Sequence, residues 1–306
     1  MARHYEAGEA GAPMPRLHLV AGTYELYRAH YSPRPGHEGP KGQDLKATVG
    51  VVASMLALLN DAGEAVTHLA VAFDNPIRSF RNDLFPFYKS DEGVPPELRA
   101  QFDTVEEALT ELGVVVWSMR DHEADDGRAS GAAKFRDAVD QVRIMTPDKD
   151  LGQCIRGARV VQVDRRQNKV TDEAAFRAAR GFAPAGMPDF LGLTGDTADG
   201  IPGLPGFGEK SAAVLIGAYE HIEAIPDDAA AWTVKPRGAD KLAATLRDHR
   251  VAALFYRQLA TLVETAPVSE SLDDLRFRGV PRRGFEEWCA VVGSKGLLTM
   301  PRRWQD

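Results

Sequence analysis

Val142-Arg143-Ile144-Met145-Thr146-Pro147-Asp148-Lys149-Asp150 is the stretch on which the fold turns. Val142 to Met145 is a largely apolar run of the length of a buried strand, Thr146-Pro147 breaks it, and two carboxylates follow at once. The same order recurs along the chain. Leu69 to Phe73 closes on Asp74, Val114 to Trp117 is followed by Glu123-Ala124-Asp125-Asp126, and Phe190 to Leu193 is followed by Asp196 and Asp199. Eight carboxylates therefore fall at the ends of expected strands and in the turns after them, carried to one edge of a sheet. Such crowding repels itself unless divalent cations neutralise it. An all-oxygen donor set without histidine partners favours Mg2+ or Mn2+ over zinc.

The segments between these runs read as helices. Leu17 to Val20 is a short strand, Gly22-Thr23 a turn, and a helix runs on through Tyr31. Pro33, Pro35, Gly36, Gly39, Pro40 and Gly42 mark a loop. Val49, Val52, Met55, Leu56 and Leu59 then share one face of a helix from Leu45 to Leu59. Helices over Pro95 to Leu112 and Ala124 to Phe135 alternate with the strands already named and with Val160 to Val163. That alternation predicts an α/β fold with a mostly parallel central sheet flanked by helices. Open sheets of this class bind ligands beyond the carboxyl ends of their strands, where these acids fall.

Three regions follow. Residues 1–14, small, polar and without period, read as a flexible leader. Residues 15–184 form the core, with an excursion over 75–101 in which Arg78, Phe80, Arg81, Phe85, Phe87, Tyr88 and Lys89 interleave basic and aromatic side chains. Residues 185–306 read as short helices, ending near Val263, and a solvated basic tail from Pro281.

With 306 residues, 44% hydrophobic and 26% charged, the chain can bury one large core or two linked ones. Cys154 and Cys289 offer no spacing for a zinc site or a disulfide framework, which points to a reducing compartment and a cytoplasmic location. No apolar run approaches a membrane span, and Met1 to Pro15 lacks the apolar stretch of a signal peptide. The net charge of -7 argues at first against nucleic acid. Setting the clustered carboxylates aside leaves the remaining surface near neutrality, and bound cations would invert the local sign.

After Gly200 the chain continues Ile201-Pro202-Gly203-Leu204-Pro205-Gly206-Phe207-Gly208-Glu209-Lys210-Ser211. The glycines permit a tight hairpin with outward amides, and a helix starting near Gly208 offers its amino end to an anion, for which phosphate is the natural guest. A P-loop would need glycine directly followed by lysine, where Glu209 intervenes. A dinucleotide fingerprint would need a preceding strand and a third glycine where Ser211 stands.

Taken in order, Phe80-Arg81-Asn82-Asp83-Leu84-Phe85-Pro86-Phe87-Tyr88-Lys89, Glu123-Ala124-Asp125-Asp126, Asp148-Lys149-Asp150 and Gly195-Asp196-Thr197-Ala198-Asp199-Gly200-Ile201-Pro202-Gly203 with Gly206 to Lys210 resemble the signature of the flap endonuclease family. The likeness is strongest to the 5'-3' exonuclease module of bacterial DNA polymerase I and covers roughly residues 17–265. It implies a PIN-like core, a helix-hairpin region of H2TH type, and a nuclease that cuts DNA at 5' flaps, 5' ends, nicks or gaps. By the same resemblance Asp74, Glu123, Asp125, Asp126, Asp148, Asp150, Asp196 and Asp199 match metal ligands, direct or through water, for two or more ions. Arg28, Arg81 and Lys89 match basic positions that steer or polarise the scissile phosphate. The excursion matches an arch that passes a single strand, with Phe85, Phe87 and Tyr88 as stacking platforms or as core of its base. Gly203, Gly206, Gly208, Lys210 and Ser211 match a grip on duplex DNA that reads no bases and is helped by K+ or Na+.

Three positions depart from that pattern. The family ends its first strand in aspartate followed by glycine, whereas this chain reads Leu19-Val20-Ala21-Gly22-Thr23, and Ala21 has no oxygen to offer. The resemblance therefore implies either a nuclease with a weakened ion or a structure-specific DNA-binding protein that no longer cleaves. Asp91 and Glu92 follow Lys89 where the family often continues with a basic residue, and Thr146-Pro147 stands where a glycine-containing turn is usual. No polymerase segment follows before Asp306, so a freestanding enzyme with no membrane partner is expected.

Overall fold

The computed structural model describes residues 15–305, and the leader expected over 1–14 lies outside them. In chain order the core runs β1 (Arg16–Ala21), α1 (Gly22–His30), α2 (Lys46–Leu59), β2 (His68–Asp74), α3 (Phe80–Leu84), α4 (Pro96–Arg99), α5 (Phe102–Glu111), β3 (Val115–Met119), α6 (Ala124–Phe135), β4 (Gln141–Met145), β5 (Val160–Asp164), β6 (Lys169–Thr171) and α7 (Glu173–Arg180). The strands form one sheet in the order β3-β2-β1-β4-β5-β6. All neighbours are parallel except β5 and β6.

Helices cover both faces of this sheet, so its inner strands are largely apolar on both sides, while the edge strand β6 is mostly exposed. Val20, Val71, Phe73 and Val163 pack beneath α1, α2 and α5. Leu17, Leu19, Ala72 and Ile144 pack on the opposite face, beneath α6. From β1 the chain builds outward to β2 and β3 on one side, then returns to lay β4 and β5 on the other. The reversal opens a crevice beyond the carboxyl ends of β1 and β4. Ala21 ends β1 at that crevice, Asp74 ends β2, Glu123 caps α6 just past β3, and Asp148 lies just past β4.

The helix expected over Pro95 to Leu112 is two helices. Buried Gln101 interrupts it, because its side-chain oxygen is drawn to the first turn of α2, accepting from Thr48 N at 3.0 Å and Thr48 Oγ1 at 3.1 Å.

The second half comprises α8 (Met187–Thr194), α9 (Glu209–Tyr219), α10 (Ala239–Ala260), β7 (Val280–Pro281), α11 (Arg282–Val291) and β8 (Trp304–Gln305). The run Phe190 to Leu193, expected to behave like the strand-forming runs, lies inside α8. Its whole surface is covered, Met187 through Leu193 all being buried, and a helix enclosed on every side is as uniformly apolar as a buried strand. The short helices expected up to Val263 include one of 22 residues, α10, bent at His249 where φ is -122°. Asp189 ties α8 to α10, accepting from Ile222 N and from Arg257 Nη1, each at 3.0 Å. The basic residues of the tail, Arg282, Arg283, Lys295, Arg302 and Arg303, are exposed as expected, while Phe285, Trp288 and Cys289 of α11 anchor it in the same core as α2 and α5. Among the described residues no helix is long and apolar enough to cross a membrane.

Candidate metal centre

At the crevice the acids converge. Carboxylate oxygens of Asp150, Asp196 and Asp199 all lie within 4.8 Å of one another. Asp150 stands in the turn after β4, whose start Asp148 caps by accepting from Asp150 N at 3.0 Å. Asp196 and Asp199 stand in the turn after α8, where Asp196 accepts from Ala198 N at 2.9 Å. Two glycines make this turn possible. Gly200 has φ +75°, and a Cβ there would come within 2.2 Å of the Phe87 carbonyl oxygen. Gly203 has φ +69° and crosses the Thr194–Gly195 backbone so closely that a Cβ would lie 2.4 Å from Gly195 N.

A second group adjoins the first through Asp199. Asp74 Oδ1 accepts from Ala124 N at 2.8 Å, which fixes it against the start of α6. The Tyr88 hydroxyl shares its proton between Glu123 Oε2 at 3.0 Å and Asp199 Oδ2 at 3.2 Å. The Lys89 ammonium lies 3.0 Å from Glu123 Oε1 and 3.3 Å from Asp199 Oδ1. Asp125 pairs with Arg128, one turn along α6. Burial pushes Glu123 up to about 7, with Asp74 and Asp199 adding to the rise against the pull of Lys89 and Arg81. Burial and the neighbouring Asp148 hold Asp150 well above the usual carboxylate range, and burial with Asp125 raises Asp148. Asp125 moves the other way: burial opposes the shift, but the Arg128 guanidinium outweighs it. The Lys89 ammonium is held well above its ordinary value by Glu123 and Asp199 despite its desolvation.

Not every residue expected to bind metal or phosphate is free to do so. Arg81 is only 1% exposed, and all five of its N–H donors are used inside the protein. It donates to Glu123 Oε2 at 2.7 Å, to Asp126 Oδ2 at 2.7 Å and Oδ1 at 2.8 Å, and to the carbonyls of Leu259 at 2.8 Å and Thr261 at 2.9 Å. Expected to steer a phosphate, it instead clamps the wall of the site. Asp126 is its counterpart. Fully buried, Asp126 spends both oxygens on Arg81 and on the amides of Glu123 and Val263, at 3.0 and 2.9 Å, so it has no lone pair directed at the crevice. Arg28 also lies outside the cradle, in an adjoining cavity where it pairs with Glu25.

Two cations carried no assigned role in the sequence and enter the site. Lys149 bridges Asp196 and Asp150, the latter at 3.3 Å. Arg128 is buried, with Nη1 lacking a hydrogen-bond partner. The signal for Lys149 was its place between two acids, and for Arg128 its spacing of three from Asp125. Arg81, Lys89, Arg128 and Lys149 thus face eight carboxyl groups, which would leave four negative charges uncompensated were all eight ionised. Asp150 Oδ1 is buried, and the Lys149 ammonium at 3.3 Å faces it without hydrogen-bond geometry. An all-oxygen, electron-rich pocket whose three acids converge within 4.8 Å fits a hard divalent cation.

Beside the cradle, α8, the glycine turn and α9 form the helix hairpin. Gly206, Gly208 and Lys210 are exposed on it, and Ser211 caps α9 by accepting from Gly208 N at 3.2 Å and donating to Gly208 O at 2.9 Å. Gly203 is buried at the crossing described above. Along the excursion Tyr88 is core, Phe85 is half-buried against Phe255, and Phe87 stands 78% exposed.

Sheet order, acid cradle and helix hairpin together define the fold of the 5' nucleases. Residues 16–181 match the 5'-3' exonuclease N-terminal, resolvase-like domain, and residues 182–283 match the 5'-3' exonuclease C-terminal SAM fold. The chain belongs to the 5'-3' exonuclease family. It is 34% identical over 292 residues to DNA polymerase I of Bacillus caldotenax, covering 92% of this chain and 32% of that one. To DNA polymerase I of Mycobacterium tuberculosis it is 33% identical over 270 residues, 86% of this chain and 29% of that one. The chain thus spans about a third of the length of the curated relatives it matches. Among solved structures, T5 5'-exonuclease with zinc bound gives a TM-score of 0.62 at 16% identity over 93% of this chain and 99% of that one. The catalytic core of Rad2 in complex with DNA substrate gives 0.60 at 14% over 94% and 90%. At such identities the likeness is one of fold.

Proposed function

We propose that the chain hydrolyses phosphodiester bonds of DNA near 5' ends and at the base of 5' flaps, using Mg2+ or Mn2+. The observation that carries this reading is the approach of Asp150, Asp196 and Asp199, from two distant stretches, to within 4.8 Å beside the glycine-rich helix hairpin. The solved T5 enzyme in complex with DNA and metal ions, and Rad2 with its DNA substrate, support it by fold.

Bound divalent ions would supply Lewis-acid activation of water and neutralise charge at the phosphate, with no protein nucleophile needed. The chain's own groups do the rest. Asp74, Glu123, Asp125, Asp148, Asp150, Asp196 and Asp199 hold the ions, directly or through water. Tyr88 fixes Glu123 and Asp199 against each other, while Arg81 and Asp126 keep the wall in place. Lys89, at the rim of both acid groups, holds a phosphate oxygen. Gly206, Gly208, Lys210 and Ser211 hold duplex phosphates without reading bases, with K+ or Na+ as a helper, and exposed Phe87 offers a face on which a base stacks. Two buried free thiols, Cys154 and Cys289, suit a reducing cytoplasm.

One observation favours a second reading. Ala21 removes a carboxylate from the centre of the crevice, which fits a protein that grips branched DNA without cutting it. Incubating the chain with 5'-flap DNA, plain duplex and RNA, in Mg2+, Mn2+ or EDTA, separates the two. Cleavage at the flap base that needs metal and falls at least ~100-fold in Asp199→Asn supports the nuclease. Tight binding with no product supports the second reading, and cleavage indifferent to EDTA contradicts both.

A further inference from the structure

A cavity of about 250 Å3 opens between α1, α2 and the turn from β5 to β6, with Thr146-Pro147, the two residues before Asp148, in its wall. Four guanidinium groups line it, from Arg28, Arg34, Arg165 and Arg166, in a chain whose net charge is -7. Among the described residues two carboxylates, Glu25 and Asp164, line the cavity with them, and both are occupied. Glu25 is buried on the floor, where it pairs with Arg28, accepts from Ser54 Oγ at 2.8 Å and meets Arg165 Nη1 at 3.5 Å. Arg165 also donates to Ser54 Oγ and to Ser54 O, each at 3.1 Å. Asp164 accepts from the backbone amides of Arg166 and Gln167 at 2.8 and 3.2 Å, shaping the turn.

Packing accounts for that floor but not for the mouth. Exposed Arg34 makes one bond, to Gly50 O at 3.3 Å, and the exposed Arg166 side chain has no partner among the described residues. Arg28 Nε is buried without an acceptor. An excess of planar donors around a space of several water volumes, with one donor orphaned, matches the shape and charge of a phosphate group.

We propose that this cavity is a second phosphate-binding site, separate from the acid cradle, that takes a phosphate of the nucleic-acid strand running past the cleavage point. The occupant is a terminal phosphomonoester or an internal phosphodiester. The inference rests on the nuclease reading for the identity of the ligand as DNA. Arg34 and Arg166 hold the phosphate at the mouth, and Arg28 Nε donates from within.

The test is equilibrium binding by fluorescence anisotropy in EDTA, so that nothing is cut, over a series of salt concentrations. The full chain is compared with the double variant Arg34→Ala, Arg166→Ala, on nicked duplexes whose 5' end carries either phosphate or hydroxyl. Arg276→Ala with Arg303→Ala, two exposed positions beside the amino ends of the strands, removes the same charge elsewhere. The expected result is at least a ~10-fold loss of affinity and a salt slope smaller by about 1 to 2 in the first variant only. A loss confined to the phosphorylated end identifies the terminal group, and an equal loss on both identifies an internal one; either supports the site. If the two double variants behave alike while the wild type binds and cleaves DNA, the cavity proposal fails and the nuclease reading stands. If the wild type binds no DNA, both fall.

Discussion

Ala21 sits at the end of the central strand, paired with Ala72 and only 3% exposed, between the strand that ends in Asp74 and the strand that leads to Asp148. A carboxylate there would point into ground already short of positive charge. Ala21→Asp is therefore expected to act in two directions. In EDTA it should lower the melting temperature by at least ~2 °C, because another buried acid lacks a partner. With Mn2+ that loss should disappear and flap cleavage should rise at least ~10-fold. Thermal melts with and without metal, run beside single-turnover cleavage, check both. Unchanged cleavage would mean that this position does not limit the reaction.

Among the elements, α3, α6 and the carboxyl end of α10 are joined through one guanidinium. Arg81 meets Glu123 and Asp126 at the start of α6 and the carbonyls of Leu259 and Thr261, so it binds the excursion to both halves of the molecule. Arg81→Ala is expected to cost about 3–5 kcal/mol in urea unfolding without DNA, since it strands two buried carboxylates. Arg81→Lys should recover only part, having one ammonium for five directed donors. A group that only steered phosphate would leave this stability unchanged.

The same elements show what local sequence can carry. Ala124 to Phe135 forms a helix with the bounds its pattern implies, and β1 to β5 fall within two residues of their apolar runs, because a parallel strand buried on both faces is written in contiguous residues, whereas β6, three residues long, mostly exposed and antiparallel, carries no such run. The burial of Arg81 is not local. Its partners lie from 42 to 180 residues away, so in sequence it reads as one basic residue among aromatics. Lys149 is a similar case: only the return of the chain at Asp196 makes it part of a cluster. The run in α8 was misleading for a third reason, since enclosure on all sides erases the helical period.

At the scale of the whole molecule, three apolar clusters surround a polar seam. The seam stores repulsion that pH and metal should relieve in opposite ways. Glu123, raised by burial to about 7, and Asp148 and Asp150, also raised, keep their protons in the folded protein at pH values where the unfolded chain has lost them. For such groups the stabilising contribution is full below the unfolded pKa and is lost as pH rises through the folded value. Glu64 has the opposite sign. Burial opposes the shift, but hydrogen bonds from His18 and Arg143 lower it to about 2, so its contribution is present above the unfolded pKa and is lost as pH falls toward 2. Glu123 alone should thus remove on the order of 2 kcal/mol from the metal-free protein between pH 5 and 7.5. Saturating Mn2+ should abolish that decline, with protons released on binding. Urea unfolding across pH, with EDTA or Mn2+, measures both curves.

Anomalous diffraction from crystals grown with Mn2+ tests most directly whether the converging acids form a cation cradle. The expected map has a manganese peak about 2.2 Å from oxygens of Asp150, Asp196 and Asp199, with the Lys149 ammonium withdrawn from between them. A map with no manganese in that crevice, and Lys149 still bridging Asp150 and Asp196, would contradict it.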